Sequence, residues 1–92
     1  MEESRLERRL KKAIENLDGV ALKLTVPNKR GMPDRMILLP GGRIYFVEMK
    51  APGKKPRLLQ RKRAKQLQAL GFPVYILDSD KAVDAFLQEV TL

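Results

Sequence analysis

The chain has 92 residues, the length of one small domain, with 19 Lys and Arg against 11 Asp and Glu and a net charge of +8. It contains neither cysteine nor histidine. That excludes a disulfide framework, a thiol nucleophile, an imidazole base and a Cys/His zinc site. Hydrophobic residues make up 43 % of the chain, which argues against disorder, and no apolar run approaches the ~20 residues of a membrane span. Met1–Lys12 is charged rather than signal-like. The expectation is a cytoplasmic protein of one domain, residues 1–92, with a polyanionic partner and no membrane.

Ser4–Leu17 carries Leu6, Leu10, Ala13, Ile14 and Leu17 at helical spacing. Ser4 and Glu7 fit a capping box, and Gly19 follows as a stop. Val20–Val26 alternates, with Val20, Leu22, Leu24 and Val26 on one face, as a half-buried strand does. Pro27–Pro33 is a loop by composition. Asp34–Leu39 and Arg43–Lys50 read as strands joined around Pro40-Gly41-Gly42, a hairpin signal. Arg57–Leu70 reads as a helix with Leu59, Ala64, Leu67 and Leu70 near its buried side. Pro73–Leu77 is a short apolar strand, and Ser79 caps a last helix carrying Val83, Phe86, Leu87 and Val90. The order α-β-β-β-α-β-α predicts an α/β (mixed α+β) fold. The helical crossover before the last strand suits a parallel pair, so the four-stranded sheet is mixed and flanked by helices.

The positive charge is concentrated. No acidic residue lies between Met49 and Leu77, and Lys54–Lys65 holds seven cations in twelve positions. Such density releases counterions from a phosphate backbone. Lys54, Lys55, Arg57, Arg61 and Lys65 are the candidate DNA contacts here. A solvated helix face is the plain alternative, but such a face usually mixes signs.

Glu48 and Lys50, two apart on a strand, project from the same face as Ile44 and Phe46. Glu-x-Lys alone reads rather as an intrastrand ion pair at an exposed strand end, since such tripeptides are common. Asp34 sharpens the reading through hairpin parity. A two-residue loop sets Asp34 opposite Met49, on the wrong side from Glu48. A loop of three or five residues sets Asp34 opposite Glu48. Facing carboxylates repel unless a cation sits between them, and their oxygen chemistry suits Mg²⁺ or Mn²⁺. Such an ion polarises a phosphate oxygen and acidifies water, and Lys50 is placed to steady the developing charge.

Gly31-Met32-Pro33-Asp34-Arg35, Gly41-Gly42, Val47-Glu48-Met49-Lys50-Ala51-Pro52-Gly53, Gln60, Leu67, Gly71 and Val74-Tyr75-Ile76-Leu77 follow one another along the chain. Together they resemble the VRR-NUC (virus-type replication-repair nuclease) branch of the PD-(D/E)xK nucleases. The resemblance covers nearly the whole chain. It implies a restriction-endonuclease-like core and a Mg²⁺- or Mn²⁺-dependent DNA endonuclease. It also implies a preference for branched DNA, of the Holliday-junction-resolvase kind, and a phage or bacterial setting.

Carried over residue by residue, the resemblance gives Asp34 and Glu48 the metal-ligand positions and the Met49 carbonyl the neutral-ligand position. Lys50 takes the catalytic lysine position, and Gln60 the helix glutamine bordering the site. Glu7 fits the first-helix glutamate, as ligand and catalytic group, with Lys23 matching a basic residue on the first strand. The match at Glu7 is softer: Glu3 competes with it, and the capping box is its other reading. Gln60 reads alternatively as a rim residue of its helix. Arg30 and Arg35 are candidates for phosphate contact or for loop solvation. A symmetric substrate and so small a domain point to a homodimer. The alternative function is a non-catalytic DNA-binding module of the same fold, which has no need of the set Asp34, Glu48 and Lys50. An RNA-binding domain fits less well, because the strands lack an aromatic-rich face.

Overall fold

The computed structural model describes residues 2–91, with side chains from Ser4 onward. The elements are α1 (Glu2–Asn16), β1 (Val20–Lys23), β2 (Arg35–Leu39), β3 (Arg43–Met49), α2 (Leu58–Ala69), β4 (Val74–Leu77) and α3 (Asp80–Val90). The sheet runs β1-β2-β3-β4 in space. β1, β2 and β3 pair antiparallel, and β4 joins β3 in parallel. The mixed sheet and the element order are those expected from the sequence.

One face of the sheet carries the core. Leu6, Leu10 and Ile14 of α1 and Val83, Phe86 and Val90 of α3 pack on Ile37, Leu39, Val47, Met49 and Leu77. Each fully buried side chain of this kind contributes about 1.5–3 kcal/mol. Tyr45, Tyr75 and Phe86 meet edge to face within that layer. Ser79 caps α3 as its sequence predicts, its Oγ accepting from the Ala82 N–H at 3.1 Å.

The opposite face is thinly covered. α2 lies there, with Phe72 after it meeting Phe46 edge to face. None of its residues is buried. The helical spacing of Leu59, Ala64, Leu67 and Leu70 therefore overstates their burial, and Leu70 is 73 % exposed. The apolar row of β1 also differs from expectation. Ala21 packs toward the core, while Val20 and Leu22 lie exposed on the open face. Only α1 and α3 bring apolar helical stripes to the sheet, and both take the other side. β1 stops at Lys23, with one further bond from the Leu24 N–H to the Asp34 carbonyl. Pro27 soon follows, and it has no N–H to extend a ladder.

α1 begins before Ser4, so Ser4 is a helical residue and the capping box with Glu7 does not form. The β2–β3 hairpin pairs Leu39 with Arg43 and leaves a three-residue loop, Pro40-Gly41-Gly42. Gly41 and Gly42 take φ of 86° and 73°, a conformation L side chains rarely adopt.

Candidate active site

The odd hairpin fixes the site. The register runs from Leu39↔Arg43 to Arg35↔Val47. Continued by one step, it sets Asp34 opposite Glu48. Val47 and Met49 point into the core, so Glu48 between them points to the face of α2. Asp34 Oδ1 accepts from the Met49 N–H at 3.2 Å, which ties the aspartate to the β3 backbone beside Glu48. The Asp34 carbonyl accepts from the Leu24 N–H at 2.9 Å.

Glu48 is 5 % exposed. A buried carboxylate needs partners, and Glu48 Oε2 has two. Lys50 Nζ lies 3.3 Å away, on the same strand face. Gln60 Nε2 donates to the same oxygen at 2.7 Å. The other end of the Gln60 amide is also committed, since its Oε1 accepts from the Arg57 N–H at 2.8 Å. Gln60 thus closes the first turn of α2 and reaches the carboxylate at once, which fixes the orientation of its amide.

Asp34 carries the clearest electrostatic signature. Its carboxyl is pushed up from 3.8 to about 6, chiefly by burial and next by the nearby Glu48 charge. The Met49 N–H and Arg35 pull it down, and the Glu7 charge raises it slightly.

Glu7 does not join them in a single cluster. Its Oε2 pairs with Arg35 Nη2 at 2.7 Å. Among the described residues, no three acidic side chains converge as a metal-binding group. The Glu3 side chain lies outside the described residues. Arg35 is engaged rather than free for phosphate: Nη1 donates to the Asp34 carbonyl at 2.9 Å, and the side chain is 16 % exposed. Met49 buries its side chain in the core, leaving only backbone groups at the site.

The remaining basic candidates lie outside. Arg30, Lys54, Lys55, Arg57, Arg61 and Lys65 are all exposed. Arg30, Gly31, Arg57, Leu59 and Gln60 line a cavity of about 190 Å³ beside the start of α2. Gly31 is required there, because a Cβ would sit 2.7 Å from Leu59 Cγ, and its φ is +83°. Arg63 stands apart from the rest of the run of cations. Its Nε donates to the Arg30 carbonyl at 2.9 Å and pins that loop to α2. Nothing in the spacing separates it from its solvated neighbours.

The donor chemistry at Asp34 and Glu48 is all oxygen, with excess negative charge on adjacent strands. That fits a small hard divalent cation, held by few carboxylates and several waters.

No family model matches the chain. A curated relative, "Putative nuclease p44" of Acyrthosiphon pisum secondary endosymbiont phage 1, is 44 % identical over 77 residues, 84 % of this chain and 83 % of that protein. A solved structure described as a VRR_NUC domain superposes with a TM-score of 0.89 at 31 % identity, covering 96 % of each chain. Fold and identity agree: the chain belongs to the VRR-NUC family of nuclease domains.

Proposed function

We propose that the protein is a metal-dependent DNA endonuclease that hydrolyses phosphodiester bonds, selective for branched DNA such as four-way junctions. The observation that carries the reading is the pairing of Asp34 with Glu48 across an odd hairpin, with Lys50 and Gln60 both on Glu48 Oε2. Asp34, Glu48 and the Met49 carbonyl would hold Mg²⁺ or Mn²⁺. Bound there, the ion supplies an acidified water and a polarised phosphate oxygen. Lys50 orients the attacking water and steadies negative charge as it develops. Gln60 holds Glu48 in the ligating orientation. The exposed cations of α2 and of the loop before it receive the phosphate backbone.

Selectivity for branched DNA is supported by size and by the uncovered side of the sheet. The exposed Val20, Leu22 and Ile44 give a second copy an apolar surface to meet. A two-fold pair would present two sites to a two-fold substrate. The deciding experiment is cleavage of end-labelled duplex, flap, splayed-arm and four-way DNA in Mg²⁺, Mn²⁺ or EDTA. Metal-dependent nicking that favours the four-way substrate is expected. Binding without cleavage in either metal would leave a DNA-binding module of the same fold.

A further inference from the structure

A groove of about 220 Å³ runs between α2 and β4, the edge strand of the sheet. Gln60, Arg61, Ala64 and Lys65 line it from the helix, and Val74 and Ile76 from the strand. Tyr75 packs toward the core, so Val74 and Ile76 on either side of it point to the α2 face, where both stay half-buried. Ala64 offers only a methyl group, which leaves the space open. Two relationships say what fills it. The first is register: in the parallel β3–β4 ladder Ile76 pairs with Glu48. Ile76 therefore stands beside Glu48 on one face, and Gln60, which donates to Glu48 Oε2, lines the groove as well. The groove is thus continuous with the candidate active site. The second is charge: Arg61 and Lys65 are exposed on its lining, and no acidic residue occurs between Met49 and Leu77. An apolar floor beside two cations complements a flat base joined to a phosphate. The volume is below the ~300–1,000 Å³ of sites for drug-sized ligands, and suits one base rather than a base pair.

We propose that this groove receives one unpaired nucleotide of a DNA strand beside the Asp34–Glu48 site, its base on Ala64, Val74 and Ile76 and its phosphate on Arg61 and Lys65. The proposal rests on the DNA-nuclease reading above and gives the preference for branched DNA a source. A base in continuous duplex must leave its stack to enter, and that cost is least for a base already unpaired. Branch points supply such bases. Gln60 reads none of them, because both ends of its amide are taken by Glu48 and the Arg57 N–H. The groove therefore selects an unpaired state and not a sequence.

The test uses the full chain in EDTA, with DNA carrying the fluorescent adenine analogue 2-aminopurine either unpaired at a branch point or paired within a duplex. The unaltered protein should change the emission of the unpaired probe and bind that DNA about tenfold more tightly than the duplex, the scale of one base contact. Ala64→Leu fills the groove and should erase most of that preference. It should keep the salt slope of binding, since the phosphate contacts remain. A folded Ala64→Leu that keeps the preference overturns the proposal. So does a preference lost together with the slope, which marks a displaced helix. Methyl NMR needs no variant and stands if Ala64→Leu fails to fold. The Ala64, Val74 and Ile76 methyl signals of the unaltered protein should shift when a short single strand is added, and stay in place when a duplex of equal length is added. Equal shifts with both, or none with the single strand, overturn the groove. Metal-dependent cleavage without the preference and the methyl shifts overturns this inference alone. The preference and the shifts without cleavage in Mg²⁺ or Mn²⁺ uphold the groove and remove the endonuclease.

Discussion

Gln60 grips Glu48 from a neighbouring helix: its amide nitrogen donates to Oε2 at 2.7 Å while its amide oxygen takes the Arg57 N–H at 2.8 Å. Either bond alone would leave the amide free to turn over. Gln60→Ala should therefore lower turnover by about 10–100-fold through a loosened Glu48. The fraying of the first turn of α2 should cost only about 1 kcal/mol. Single-turnover cleavage and a urea titration separate the two effects.

Asp34→Asn, Glu48→Gln and Lys50→Ala should each reduce cleavage by about 10²-fold or more while leaving the fold intact. DNA affinity should persist, and should rise where a carboxylate is neutralised, because repulsion of phosphate falls. Circular dichroism and gel-shift measurements beside the cleavage assay check this. Near-normal metal-dependent cleavage by any one of them would remove that residue from the site.

Asp34 sits at about 6 rather than 3.8, chiefly because it is buried and next because Glu48 lies beside it. A carboxyl raised on folding binds its proton more tightly in the native state. The stability it gives is full below its unfolded value and is lost as pH climbs through about 6. Asp34→Asn should therefore melt higher than the unaltered protein above pH 6, with the advantage vanishing below pH 4. Added Mn²⁺ should displace the Asp34 proton, so its affinity should fall as pH drops through 6. Melting curves and calorimetry from pH 4 to pH 8 measure both trends.

Arg57, at the N-cap of α2, and Arg61 and Lys65 along the helix are all exposed. Reversing all three to glutamate should weaken DNA binding. It should also flatten the log–log salt dependence by ~0.9 for each phosphate left without its cation. An unchanged slope would shift the DNA track to the cations of α1.

The hairpin loop holds three residues, which puts Asp34 in register with Glu48. One residue added after Gly42, if absorbed by the pairing, turns every β2 side chain to the opposite face. Cleavage should then vanish, and two added residues should restore it. A structure of each variant shows whether the strands or the loop took up the change.

Much of this is legible from the chain because it depends on parity and local chemistry. Alternation places Glu48 and Lys50 together, and the proline and two glycines point to an odd loop. The role of Ser79 as a cap follows from its type and position. The departures share a cause: periodicity says which residues share a face, but not what covers that face. Val20 and Leu22 form an apolar row left 48 % and 40 % exposed, and no leucine of α2 is buried. The spacing of Glu7 ties it to a near neighbour, Ser4, whereas its partner Arg35 lies across the fold. The position of Gln60 three residues after Arg57 has the spacing of a capping pair. The absence of Ser or Thr at the first place hides it.

α2 buries none of its residues, yet it supplies Gln60 and two of the candidate DNA contacts, Arg61 and Lys65. The sheet, α1 and α3 share the hydrophobic core and melt as its stability dictates. α2 holds to the rest through the hydrogen bonds of Gln60 and Arg63 and through side chains none of which is buried, so its amides should exchange with solvent through local opening, well before the core does. Heat should therefore disarm this protein before it unfolds it. Cleavage should fade, reversibly on cooling, over a range of temperature in which the β-sheet signal has not changed.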